Sequence, residues 1–209
     1  MDLNFITELQ DIIPRDLCEE IINKFENDER KIPGSLNGYN GTVVDLELKN
    51  STELHFTNLE NWSEIDEKLS ICLKRALYLY FEQMKNTLEG KLHCIQNARR
   101  VIDSISNGMY DNGFTIQRIT EGNWYPWHHD STPSCQTKPA HRILFTVIIY
   151  LNTLDVNSGG TTSFFNGRTI KPEVGKVLIF PATWNVLHTG DRVLKGTKYI
   201  CTSSVFSEF

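Results

Sequence analysis

The spacing of apolar positions changes partway along the chain. From Pro14 to Asn27, Leu17, Ile21 and Phe25 recur every four residues with Cys18 and Ile22 beside them, the stripe of an amphipathic helix, and Pro14 suits a first helical position. From Asn61 to Leu88 a longer stripe runs through Ile65, Leu69, Cys72, Leu73, Ala76, Leu77, Tyr80 and Met84, with Ser63 and Asp66 spaced as a capping box. After Phe114 the texture becomes that of strands. Thr115–Thr120 alternates, Arg142–Leu151 is a nearly unbroken β-branched and aromatic run, and Thr161–Phe165, Lys176–Phe180 and Tyr199–Phe206 are short and β-prone. Pro33–Gly41 reads as a loop and Thr42–Leu48 as a weak strand, while Asn157–Gly160 and Lys171–Gly175 read as turns. Helices first and strands later predict an α+β fold in one domain, 1–209. Residues 1–113 form a mainly helical support layer with some strands, and residues 114–209 a β-sandwich core.

Composition narrows the function classes. A net charge of −5 and no basic stripe predict no nucleic-acid partner. No apolar run approaches a membrane span and the first residues carry Asp2 and Glu8, so neither a membrane anchor nor a signal peptide is expected. Five scattered cysteines without a C-x-x-C pair fit small buried hydrophobes in a reducing, cytoplasmic setting.

The chemistry concentrates at His128-His129-Asp130 and at His188. On an extended segment, side chains at i and i+2 share a face, so His128 and Asp130 can bind one ion while His129 points elsewhere. A second imidazole, His188, must come from another strand. Two imidazoles and one carboxylate form the facial ligand set typical of non-haem Fe(II) oxygenases, with the opposite face of the metal open. Lys198 follows His188 by ten residues, with a turn between them. If the two flanks pair as a hairpin, Lys198 lies nearly opposite His188 and faces the same cavity. His55, His93 and His141 have no partner at metal-ligand spacing, and Gly159-Gly160 is a turn rather than a phosphate cradle.

Taken together, several segments resemble the prolyl 4-hydroxylase branch of the Fe(II)/2-oxoglutarate dioxygenases. They are Tyr125-Pro-Trp-His128-His-Asp130, Arg142 with Thr146 to Tyr150, Gly159 to Phe164, Pro172 to Phe180, His188-Thr-Gly190 and Gly196-Thr-Lys198. The resemblance covers about residues 114–206. It implies a double-stranded β-helix (jelly-roll) core with N-terminal supporting helices, and hydroxylation of a C–H bond with release of succinate and CO2. Its implied cofactors are Fe(II), 2-oxoglutarate and O2, with ascorbate as an accessory reductant.

By the same resemblance His128, Asp130 and His188 are the iron ligands and Lys198 binds the distal carboxylate of 2-oxoglutarate. Tyr150 and Thr162 hydrogen-bond the cosubstrate. Tyr125 lines the substrate side of the iron, and Arg142 stands at the substrate entrance. Trp184, shortly before His188, reads from the sequence itself as either a lid at the substrate site or plain packing. Charge counting agrees with this set: the metal with its ligands carries +1, 2-oxoglutarate −2 and Lys198 +1, so the buried assembly is neutral. A cosubstrate-binding tyrosine found in some members nine or ten residues before the first ligand is replaced by Ile119 or Arg118, leaving Tyr150 to substitute. The implied partner is a prolyl-containing peptide or protein. The alternatives are a hydroxylase of another side chain or small molecule, a cupin-type metal enzyme without an oxoacid, and a non-catalytic β-sandwich binding module.

Overall fold

The long apolar run expected to be a buried strand is the spine of the molecule. The computed structural model describes residues 5–38, 41–91, 108–131 and 142–207. Strand β9 (Arg142–Tyr150) lies in an antiparallel sheet between β12 (Val177–Pro181) and β14 (Thr197–Ser207). The sheet continues through β7 (Thr115–Thr120), β5 (Thr52–His55) and β2 (Ile32–Pro33). On the far side of β12 lies β1 (Thr7–Leu9), and β6 (Met109–Asp111) pairs with β14. A smaller sheet runs β11 (Thr169–Ile170), β10 (Thr162–Phe164), β13 (His188–Gly190) and β8 (Tyr125–His128).

Each face of the large sheet buries a different core, which is why β9 lacks the polar alternation of a one-faced strand. Phe145, Val147 and Ile149 pack with Ile179 and Cys201 against the helices. Ile148 and Tyr150 join Leu178, Phe180 and Ile200 in a second core that also takes Phe164 from the small sheet. The two sheets form the sandwich of a double-stranded β-helix, with the helices on its outer side.

Helix α1 (Arg15–Glu26) buries Leu17, Cys18, Ile21 and Phe25, and helix α2 (Ser63–Lys91) buries Ile65, Leu69, Leu73, Ala76 and Tyr80. Pro14 is the residue capping α1, not its first turn, because its ψ of 141° is extended. A 3-10 turn, Glu60–Trp62, leads into α2. Asp66 takes the Thr57 hydroxyl at 2.5 Å, tying α2 to the chain after β5.

The expected strand over Thr42–Leu48 is corrected: only β4 (Gly41–Val43) is extended, paired with β3 (Leu36–Gly38). Asp45 then turns the chain, its carboxylate accepting from the Glu47 and Leu48 amides. Residues 1–113 also supply β1 and β5 directly to the large sheet, a contribution their short polar runs concealed.

An aromatic stack joins the two halves of the chain. Phe56 lies 4.7 Å from Trp62 and 6.0 Å from Phe114, centroid to centroid, and all three are fully buried. Phe56→Ala is expected to cost about 3–5 kcal/mol of folding stability, read from the denaturant midpoint at unchanged slope.

Candidate active site

His128 ends β8 and His188 opens β13, and the two are direct partners in the antiparallel register. Cross-strand partners project to the same side of a sheet, and their rings stand 4.1 Å apart. Asp130 lies just past the end of β8, in a bend rather than on the strand as its i+2 spacing predicted. It still closes the set: one donor atom from each of the three side chains lies within 4.8 Å of the other two. The His128 and His188 Nε2 atoms each stand 3.6 Å from an Asp130 oxygen.

The tautomers suit a metal. His128 Nδ1 meets the Pro126 carbonyl at 2.7 Å, and His188 Nδ1 meets that of Val186 at 3.2 Å. A carbonyl only accepts, so each Nδ1 carries the proton and each Nε2 presents a lone pair toward Asp130. Burial, and for His128 the neighbouring His188, depresses both imidazole pKa values and keeps the rings neutral. Thr146, a hydroxyl within the apolar β9 run, donates to Asp130 Oδ2 at 2.5 Å and orients the carboxylate.

Lys198 faces this set from the other sheet. The expected hairpin is corrected: β13 belongs to the small sheet, whereas β14 pairs with β7 and β9 in the large one. Lys198 therefore reaches the cavity across the sandwich. It is 4% exposed, and its ammonium has no hydrogen-bond or ion-pair partner among the described residues. Burial pulls its pKa down to about 8, opposed by the Asp191 charge. Tyr150, whose ring centroid is 5.6 Å from the Lys198 Nζ, donates its hydroxyl to Thr162 Oγ1 at 2.8 Å.

His128, Asp130, Thr146, Thr162, His188 and Lys198 line one cleft of about 240 Å³, and Tyr150 stands behind its wall. Ile119, opposite Lys198 in the register, lines it too. Arg118 is engaged elsewhere, with Glu26 at 2.8 Å and Thr52 at 3.3 Å, so neither position supplies a cosubstrate hydroxyl.

Tyr125 also lines the cleft, its ring 3.9 Å from that of His128, and burial raises its phenol to about 12. Trp184 is 74% exposed and off the cleft wall, where Trp124 stands instead. Arg142 heads β9 opposite Ser207, but its side chain lies outside the described part, as do His93, His141 and most of the 131–141 loop. His129 meets the Ser131 hydroxyl at 3.3 Å and is not in the metal-binding group.

Sequence reasoning missed Thr146, whose signal was a lone hydroxyl in an apolar strand. It also missed Ser35, Lys49 and Ser51, which line the cleft from the first half of the chain. No helix among the described residues is long and apolar enough to cross a membrane.

The three donor atoms fit a divalent ion. The Lys198 ammonium, without an ion-pair partner among the described residues, fits an anionic group beside it, since a buried charge is costly unless paired. Residues 114–205 match the sequence model of the 2OG-Fe(II) oxygenase superfamily, a description that names the iron and the cosubstrate. No curated protein matches by sequence.

Three solved structures share the fold. The viral collagen prolyl hydroxylase of Paramecium bursaria Chlorella virus-1, solved as a 2OG complex, is 18% identical with a TM-score of 0.61, covering 100% of this chain and 98% of that one. The Trichoplax adhaerens prolyl hydroxylase, solved with a hypoxia inducible factor peptide fragment, is 16% identical with a TM-score of 0.70, covering 99% and 85%. A Pseudomonas putida prolyl-4-hydroxylase is 13% identical with a TM-score of 0.61, covering 99% and 95%.

Proposed function

We propose that this chain, whose residues 114–205 match the model of the 2OG-Fe(II) oxygenase superfamily, is a dioxygenase that hydroxylates a prolyl residue of a peptide or protein. The observation that carries the oxygenase reading is the two-His-one-carboxylate cluster facing, across one cleft, a buried lysine with no hydrogen-bond or ion-pair partner among the described residues. Bound iron, with 2-oxoglutarate and O2, supplies the oxidising chemistry: one oxygen atom enters a C–H bond and the oxoacid leaves as succinate and CO2.

The chain's own residues bind, orient and exclude. His128 and His188 offer neutral Nε2 donors, Asp130 the anionic one, and Thr146 keeps that carboxylate turned toward them. Lys198 receives the distal carboxylate of the oxoacid, with the Tyr150–Thr162 hydroxyl pair beside it. Ile119, Ile148 and Ile200 contribute apolar surface to the wall, which strengthens the ammonium–carboxylate attraction. Tyr125 flanks His128 on the side left for the substrate.

Support for proline is the company of prolyl hydroxylases at the level of fold, together with the shape of the substrate. The proline ring holds φ near −65°, so a rigid cleft can present one ring carbon to the metal with little ordering cost. Incubation with proline-containing peptide libraries, Fe(II), ascorbate and 2-oxoglutarate should add one oxygen to proline with matching succinate. Oxygen on another side chain or a small molecule would overturn the prolyl assignment alone. Absence of succinate with every substrate would overturn the oxygenase itself.

Lys198 also sets a pH dependence. Its folded pKa of about 8 lies below the 10.5 of a free lysine. Between these values the unfolded chain binds the extra proton, so the cost of burying this charge is full below pH 8 and is relieved as pH rises through it. Cosubstrate binding has the opposite preference, because the ammonium is its partner. The 2-oxoglutarate affinity should therefore fall above pH 8, by up to about tenfold per pH unit, in anaerobic titrations.

A further inference from the structure

The cleft has a charged wall that the oxygenase segment does not supply. Lys49 and Glu53 are each 8% exposed, and the Lys49 Nζ lies 2.8 Å from Glu53 Oε1. The same ammonium donates to the Ser35 carbonyl at 3.1 Å and stands 5.1 Å from the centre of the Tyr125 ring. Ser51 donates its hydroxyl to Glu53 Oε1 at 2.9 Å. Gly34 makes this closeness possible: a Cβ there would fall 2.1 Å from Ser51 Oγ and 2.9 Å from Glu53 Oε1.

A lysine has three donors and no acceptor. Here one meets Glu53, one meets Ser35 and the remaining side of the ammonium faces the Tyr125 ring, within cation–π range. None is left for a substrate group, so Lys49 is not a substrate clamp. A buried ion pair is also a poor source of stability, since desolvation offsets most of the attraction, and its better-attested use is to fix geometry. The ring it faces lies 3.9 Å from that of His128.

We infer that the Lys49–Glu53 pair positions Tyr125, holding its ring against His128 so that the substrate-facing wall of the cleft keeps one shape. The pair thus tunes how the reacting carbon is presented, and it lies outside the segment that matches the oxygenase superfamily. The inference rests on the oxygenase reading only for its kinetic consequence.

The test uses 3-fluorotyrosine-labelled protein, with the Tyr125 resonance assigned by Tyr125→Phe. In Lys49→Met/Glu53→Gln, which removes both charges and leaves neither partner stranded, that resonance should shift, while Lys49→Arg keeps it in place. Glu53→Gln alone should shift it by a smaller amount, and this arm stands if the double variant folds poorly. With a peptide substrate in hand, kcat/KM should fall on the order of tenfold, with succinate formed in excess of hydroxylated product, because small misplacement at a reacting centre is costly. Iron and 2-oxoglutarate affinities should stay unchanged, and Lys49→Arg should restore coupling. An unmoved Tyr125 resonance in both Glu53 variants overturns the inference. So does a loss of iron affinity matching the loss of turnover, which would make the pair a general support of the metal site. The fluorine signal is read whether or not the protein turns over, so failure of the oxygenase reading would be recognised separately.

Discussion

Asp130→Ala is expected to abolish hydroxylation and to weaken iron binding by more than about a hundredfold, the upper end of what loss of a mere outer-shell partner costs a metal site. Asp130 is the sole anionic donor of the cluster. Without it, two neutral imidazoles would have to hold a divalent ion with no anionic donor left in the cluster to offset the ion's charge. The Thr146 hydroxyl would lose its acceptor as well. The fold should survive, because Asp130 sits past the end of β8 and its side chain is part-exposed. Anaerobic Fe(II) titration beside circular dichroism checks both halves of the expectation. Full iron affinity and turnover in the variant would remove Asp130 from the ligand set.

Lys198→Ala should raise the 2-oxoglutarate requirement by about a hundredfold or more, since stranding one member of a buried charge pair costs about 3–5 kcal/mol. The effect should fall on cosubstrate binding and not on iron, because Lys198 stands on the opposite sheet from His188 and His128. The variant protein without cosubstrate should be no less stable, and the pH dependence of 2-oxoglutarate binding around pH 8 should vanish with the ammonium. An unchanged KM for 2-oxoglutarate would place the carboxylate site elsewhere.

The metal cluster was legible because its signal is chemical. A His-x-Asp pair is common by itself; the ordered segments around it and His188 made it specific, and an i, i+2 argument set His129 aside although Asp130 lies in a bend past the strand. The place of Lys198 in the cleft with His188 was legible for the wrong geometric reason. A ten-residue offset read as a hairpin, but residues 191–196 carry the chain from one sheet to the other, a change of partner that leaves no mark in local periodicity. The helices were visible because α1 and α2 bury one face each. Strands β1 and β5 were not, since three or four residues are too few for a period to emerge. Lys49 and Glu53 carry no signal in the local sequence; only the tertiary fold, bringing Lys49 over Tyr125, makes them interior.

The order of strands in the large sheet bears on how the chain behaves outside the folded state. Residues 114–205 alone would present two bare flanks: β12, whose sequence is Val-Leu-Ile-Phe-Pro, and β7. Both are covered by earlier residues, β12 by β1 and β7 by β5 with β2 beyond it. Unpaired amide and carbonyl groups along an apolar strand template the addition of another chain. Strands β1, β5 and β2 therefore cover both flanks that would otherwise offer such a template. The strands that do so are two to four residues long, too short to recruit a further strand in their turn.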